Sequence, residues 1–95
     1  MPKFAGNTST SSLSTAYSDP VKIKSFSLVN KSGGAVLMNV SILYGSTNIA
    51  IIPINKSVAS GEFYEDDKDI LLLAGHQIYV LVNGSTDYYF TMENI

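Results

Sequence analysis

His76 is the only imidazole in the chain, so general-base chemistry near neutral pH would have to use it. A Ser-His-Asp arrangement needs a serine and an orienting carboxylate in contact with that ring. Thirteen serines make a chance pairing easy, but no Gly-x-Ser-x-Gly nucleophile elbow occurs. His76 directly follows Ala74-Gly75, a turn signal, which reads as an exposed loop imidazole. Cysteine is absent, which removes thiolate metal sites, disulfides and a thiol nucleophile together. No phosphate loop and no metal-binding histidine pair is present. No enzyme activity, catalytic residue or cofactor is therefore expected.

Five of the eight acidic residues crowd into one stretch: Glu62, Glu65, Asp66, Asp67 and Asp69. Clustered carboxylates suit Ca²⁺, but the ligand order of an EF-hand loop is missing, so no metal site is assigned. The stretch reads as a solvated acidic loop. It is also a candidate interface loop, since Lys22, Lys24 or Lys31 of a neighbouring copy could meet it and set orientation more than affinity. Tyr44, Tyr64, Tyr79, Tyr88 and Tyr89 could stack on hexose rings, yet aromatics are also strand formers and core residues. Adjacent Tyr88 and Tyr89 must face opposite sides of a strand, which puts one in the core and the other outside. Six lysines, no arginine and a net charge of −2 give no basic face, so nucleic acid is not the expected main partner. No run of 18 apolar residues exists, and no membrane partner is expected. Asn-x-Ser/Thr sequons at Asn7, Asn30, Asn39, Asn55 and Asn83 reflect turns and solvent faces. The N-terminus runs into Ser and Thr instead of an apolar core segment, so a secretory signal is not expected.

The elements that position these residues are strands. Ninety-five residues with 45 % hydrophobic and 15 % charged side chains make one small domain, too apolar for a disordered chain. Residues 1–20 hold five Ser and three Thr, with Phe4, Leu13 and Tyr17 as the large apolar side chains. That composition predicts an extended N-terminal arm whose three hydrophobes anchor it on a partner surface. From Val21 to residue 95 the apolar period is two. Val36, Met38, Val40, Ile42 and Tyr44 share one strand face, with Asn39 and Ser41 opposite. Ile78, Val80 and Val82 repeat the pattern, as do Tyr88, Phe90 and Met92. The phase slips between Ile23 and Phe26, which predicts a bulge near Ser25. Gly45-Ser46 fits a two-residue type II′ hairpin and Asn83-Gly84 a type I′ one. Pro53 marks an edge strand or a strand end. The apolar run Ile70 to Ala74 reads as a buried strand. Six to eight short antiparallel strands in residues 21–95 imply an all-β sandwich of jelly-roll or immunoglobulin-like architecture, with a core of about a dozen side chains. A core that small is marginal alone, and oligomer contacts commonly supplement it.

The order of these segments carries a resemblance. Leu28-Val29-Asn30-Lys31-Ser32-Gly33-Gly34-Ala35-Val36 opens it. Ile52-Pro53-Ile54-Asn55, Ala59-Ser60-Gly61-Glu62 and Ile70-Leu71-Leu72-Leu73-Ala74-Gly75-His76-Gln77-Ile78 follow, and Tyr88-Tyr89-Phe90 closes it. Residues 21–95 thus resemble small all-β virion structural proteins of tailed bacteriophages, of the capsid auxiliary, decoration or head–neck type. His76 stands where those proteins would carry an acidic residue, so no metal role is carried over to it. The resemblance implies a non-enzymatic structural protein, assembled in the host cytoplasm and located in the virion. Its implied partners are the major capsid protein or other virion proteins and further copies of itself, a homo-oligomer. A neck or tail component, or a fibre-associated receptor- or glycan-binding module, is the alternative. The arm lies outside the resemblance.

Overall fold

Each strand buries one face because every second side chain is apolar, and two such faces close over one another. The structure is a computed structural model and describes residues 3–67 and 69–95. It contains β1 (Lys3–Thr8), β2 (Ser11–Leu13), β3 (Val21–Asn30), β4 (Val36–Tyr44), β5 (Thr47–Ala50), β6 (Lys56–Val58), β7 (Phe63–Asp66), β8 (Ile70–Leu72), β9 (Gln77–Val82) and β10 (Thr86–Asn94). Sheet A runs β1-β10-β3-β7, with β8 also on β3; sheet B runs β2-β9-β4-β5, with β6 also on β4. All pairings are antiparallel. The fold is the expected β-sandwich. Residues 21–95 supply eight of its ten strands, and the N-terminal segment supplies the other two.

That segment is extended, and among the described residues it pairs with the chain's own body. Met1 and Pro2 lie outside the described residues. β1 lines the edge of sheet A, with Phe4 opposite Phe90 and Gly6 opposite Tyr88. The chain then crosses the open side of the sandwich, and β2 joins the edge of sheet B, with Leu13 opposite Tyr79. The crossing is tied by hydrogen bonds: Thr8 Oγ1 donates to the Ser11 carbonyl at 2.8 Å, and the Tyr88 and Ser12 hydroxyls lie 2.6 Å apart. Buried Ser14 closes the seam, its Oγ accepting from Ile78 N–H at 2.8 Å and its backbone N–H donating to the Ile78 carbonyl.

The core joins seventeen buried apolar residues in one cluster. An aromatic row crosses the inner face of sheet A from strand to strand. Phe4 and Phe90 centroids are 5.7 Å apart, Phe90 and Phe26 5.0 Å, and Phe26 and Tyr64 6.3 Å. Such cross-strand ring pairs add to simple burial. In β3 the ladder slips: Thr91 faces Ser25 while Met92 faces Ile23, so Lys24 is the extra residue of a bulge. The bulge lets both Ile23 and Phe26 point inward, as the phase slip predicted.

Gly45 has φ +62° and Ser46 does not leave the ordinary negative range, which is the pattern of the expected type II′ turn between β4 and β5. Two expectations are corrected. Asn83-Gly84 does not close a hairpin, because β9 belongs to sheet B and β10 to sheet A. The glycine is needed there for close approach: a Cβ on Gly84 would lie 2.6 Å from Val36 Cγ2. Ile70 to Ala74 is not a buried strand either. β8 is a short edge strand with Leu72 in the core, while Leu71 and Leu73 stand half-exposed. An antiparallel edge has a solvent side, and the apolar run continues onto it.

Candidate interaction surfaces

The groups singled out for chemistry do not converge. His76 packs its ring on Tyr44 at 4.6 Å, and its Nδ1 accepts from Leu73 N–H at 3.4 Å. Among the described residues no group of three or more His, Asp or Glu side chains is placed to hold a metal ion. The acidic stretch is not one loop, because Phe63–Asp66 forms β7. Glu65 lies opposite Ser27 on the outer face and Asp66 opposite Phe26, so the pleat sends the two carboxylates to opposite sides. Glu62 precedes the strand and Asp67 follows it, both exposed. Asp69 lies 3.1 Å from Lys24 Nζ, and Glu93 lies 3.8 Å from the same amine. The Asp69 hydrogen bond and charge hold the Lys24 ammonium above its ordinary pKa.

The three expected anchors lie in different settings. Phe4 packs inward, 4.7 Å from the Tyr88 ring. Tyr17 is half-buried against the core, its carbonyl accepts from Gly75 N–H at 2.9 Å, and burial pushes its phenol pKa up. Leu13 stays half-exposed on the outer face of sheet B.

The outer faces of the two sheets differ in a way that residue-by-residue reading missed. The strands of sheet A carry Lys3, Lys22, Lys24, Glu65, Asp66, Asp87 and Glu93. In the strands of sheet B, Lys56 is the sole charged residue. On sheet A, Asp87 is held by Asn7 Nδ2 at 2.7 Å and Lys31 Nζ at 3.3 Å, and the Asn7 hydrogen bond, then the Lys31 contact, lowers its pKa. Tyr89 stands half-exposed there, as the pairing with buried Tyr88 required, between two open troughs. The larger, about 600 Å³, runs along Ser25, Ser27, Glu65, Asp66 and Asp67. On sheet B, Leu13, Leu37 and Leu81 are exposed among Asn and Ser side chains, beside a shallow depression of about 240 Å³. Only strand register shows that these leucines share one face, and nothing in the local sequence marks it.

No family model matches the chain, and no curated protein matches it significantly in sequence. Solved structures share its fold. Two structures of a pentameric capsid protein isolated from metagenomic phage sequences match 98 % of this chain at 13 % identity, with TM-scores of 0.54 and 0.53. This chain spans 61 % and 62 % of their length. The C-terminal domain of a structural protein from Sulfolobus turreted icosahedral virus matches 98 % of this chain and 95 % of its own, at 20 % identity and a TM-score of 0.45.

Proposed function

We propose that this protein is a non-enzymatic structural component of a virion, of the tailed-phage capsid auxiliary or decoration type. The observation that carries the reading is the fold. A two-sheet sandwich aligns over 98 % of the chain with a pentameric phage capsid protein, at a TM-score of 0.54. The surface agrees with a structural role, because the groups that could do chemistry are scattered while exposed apolar side chains are many. Phe4 and Tyr17 pack on the chain's own core, so of the three N-terminal hydrophobes Leu13 is the one free to meet a partner. The acidic residues Glu65, Asp67 and Asp69, on the opposite sheet, offer a second, electrostatic contact to capsid subunits or other virion proteins.

Quantitative mass spectrometry of purified particles tests this reading, with copy number measured against the major capsid protein. Copies on the order of hundreds place the protein on the shell, where symmetry repeats every site many times. About a dozen or fewer place it at the neck, tail or fibre. Absence from particles overturns the virion reading.

One observation favours a second reading, a glycan- or receptor-binding module. The Tyr89 ring lies open between troughs lined by hydroxyls and carboxylates, the groups that stack on and hydrogen-bond to a hexose. It requires saturable binding on a glycan array that disappears in Tyr89→Ala.

A further inference from the structure

The outer face of sheet B has a composition and shape suited to one occupant. Its outward positions are Ser11 and Leu13 on β2, Gln77, Tyr79 and Leu81 on β9, and Leu37, Asn39, Ser41 and Leu43 on β4. None is charged, although sheet A presents both signs on its outer face. Beside them Ile54 is 75 % exposed, while Leu13, Leu37 and Leu81 are 49 %, 40 % and 42 % exposed.

Ile54 is presented by a built contact. Asn55 adopts the left-handed region at φ +54°, an uncommon backbone for a residue other than glycine. It is held there by Asn39: the Asn39 Oδ1 accepts from Asn55 N–H at 2.9 Å, and its Nδ2 donates to Asn55 Oδ1 at 3.1 Å. This reciprocal pair fixes the loop against the sheet and leaves Ile54 at the wall of the depression lined by Ser41, Ala50, Tyr79 and Leu81. It also satisfies the Asn39 amide within the chain, which lowers the penalty for covering this face.

We propose that this face is the two-fold contact between two copies of this chain, with Ile54 of each copy seated in the depression of the other. A two-fold interface sets a patch against itself, so like charges near the axis would be opposed; this patch has none. A protruding side chain beside a depression is self-complementary under that rotation. The molecule is also large enough to hold such a contact. The molecule measures 38 × 26 × 19 Å, so its broad face is bounded by about 1,000 Å², against roughly 800 Å² per partner in a stable dimer. The inference is independent of the virion reading: a dimer absent from particles sustains it, and a monomer abundant in particles overturns it alone.

Sedimentation velocity of the full chain at about 1 to 100 μM tests it, since that range spans ordinary dimer affinities. The parent should sediment at twice the chain mass or as a multiple of that pair. Ile54→Lys and Leu81→Lys each bury a charge in the contact with the other copy and should raise the dissociation constant by at least about 30-fold. Both side chains are already exposed, so the variants should keep the parent's circular dichroism spectrum. Phe63→Lys, on the exposed face of sheet A, should leave the association unchanged. A parent that is monomeric at about 100 μM overturns the proposal and leaves the face to a different protein. An assembly of any size that persists in both Ile54→Lys and Leu81→Lys also overturns it.

Discussion

At Gly84 one missing carbon decides how the chain passes between the two sheets. A Cβ there would sit 2.6 Å from Val36 Cγ2, and Val36 is itself buried and cannot swing aside. Gly84→Ala is expected to destabilise the fold by about 1–3 kcal/mol, the usual range for overpacking. Gly33→Ala, with nothing within 4 Å of its added carbon, is the matched control and should stay near the parent in a urea titration. Asp87 supplies a pH dependence. Its carboxyl is held below the ordinary range by Asn7 and Lys31. A lowered folded-state pKa means the contribution is fully present above the unfolded pKa and is lost as pH falls through the folded one. Asp87→Asn should therefore lower stability at neutral pH, flatten the acid limb of a stability–pH profile below about pH 4, and converge on the parent at the acid end. The contact is exposed, so added salt should shrink the difference.

Among the elements, β1 and β2 are where local sequence and global structure part. Ser/Thr-rich segments lack the alternation that marks a strand, and their partners β10 and β9 lie more than sixty residues away in sequence. Phe4 packs on Tyr88 and Phe90, which no window of the sequence brings near it. Phe4→Ala is expected to cost about 1–3 kcal/mol by urea denaturation, less than a fully enclosed phenylalanine because Phe4 is only partly covered. Removing residues 1–13 should cost more, since it uncovers Phe90 and Tyr88 and leaves β9 and β10 as open edges prone to pairing. A lower urea midpoint with light-scattering aggregates is the expected result, and an unchanged midpoint would show the two strands to be dispensable. The bulge at Lys24 is the opposite case. Its cause, the changed phase between Ile23 and Phe26, is written in adjacent residues and was legible without the fold.

For the whole molecule, the governing feature is the division of charge between the two faces. Sheet A keeps charges in exposed contacts such as Lys24–Asp69 and Lys31–Asp87. Sheet B has one lysine in its strands, and that lysine lies on the edge strand β6. A face of this kind makes stability depend on association. The melting temperature of the parent is expected to rise with protein concentration, because a partner that binds only the folded state stabilises it by mass action. In Ile54→Lys it should be independent of concentration. A parent melting curve that does not move over a hundredfold dilution range, about 1 to 100 μM, would count against coupled folding and association.

The sequence by itself determined the class of fold, because period-two burial and turn residues are local properties: the alternation in β4, β9 and β10, the slip in β3 and the Gly45-Ser46 turn are each set within a few residues. It also determined that Tyr88 and Tyr89 must part, since a pleat allows nothing else. Only the tertiary structure decided which sheet each strand joins, and with it the roles of Gly84, Phe4 and the acidic residues 62–69. Only strand register gathered Leu13, Leu37 and Leu81 onto one uncharged face, with Ile54 beside them. Pairing between distant strands depends on the summed fit of two whole faces, and no short stretch of sequence carries that sum.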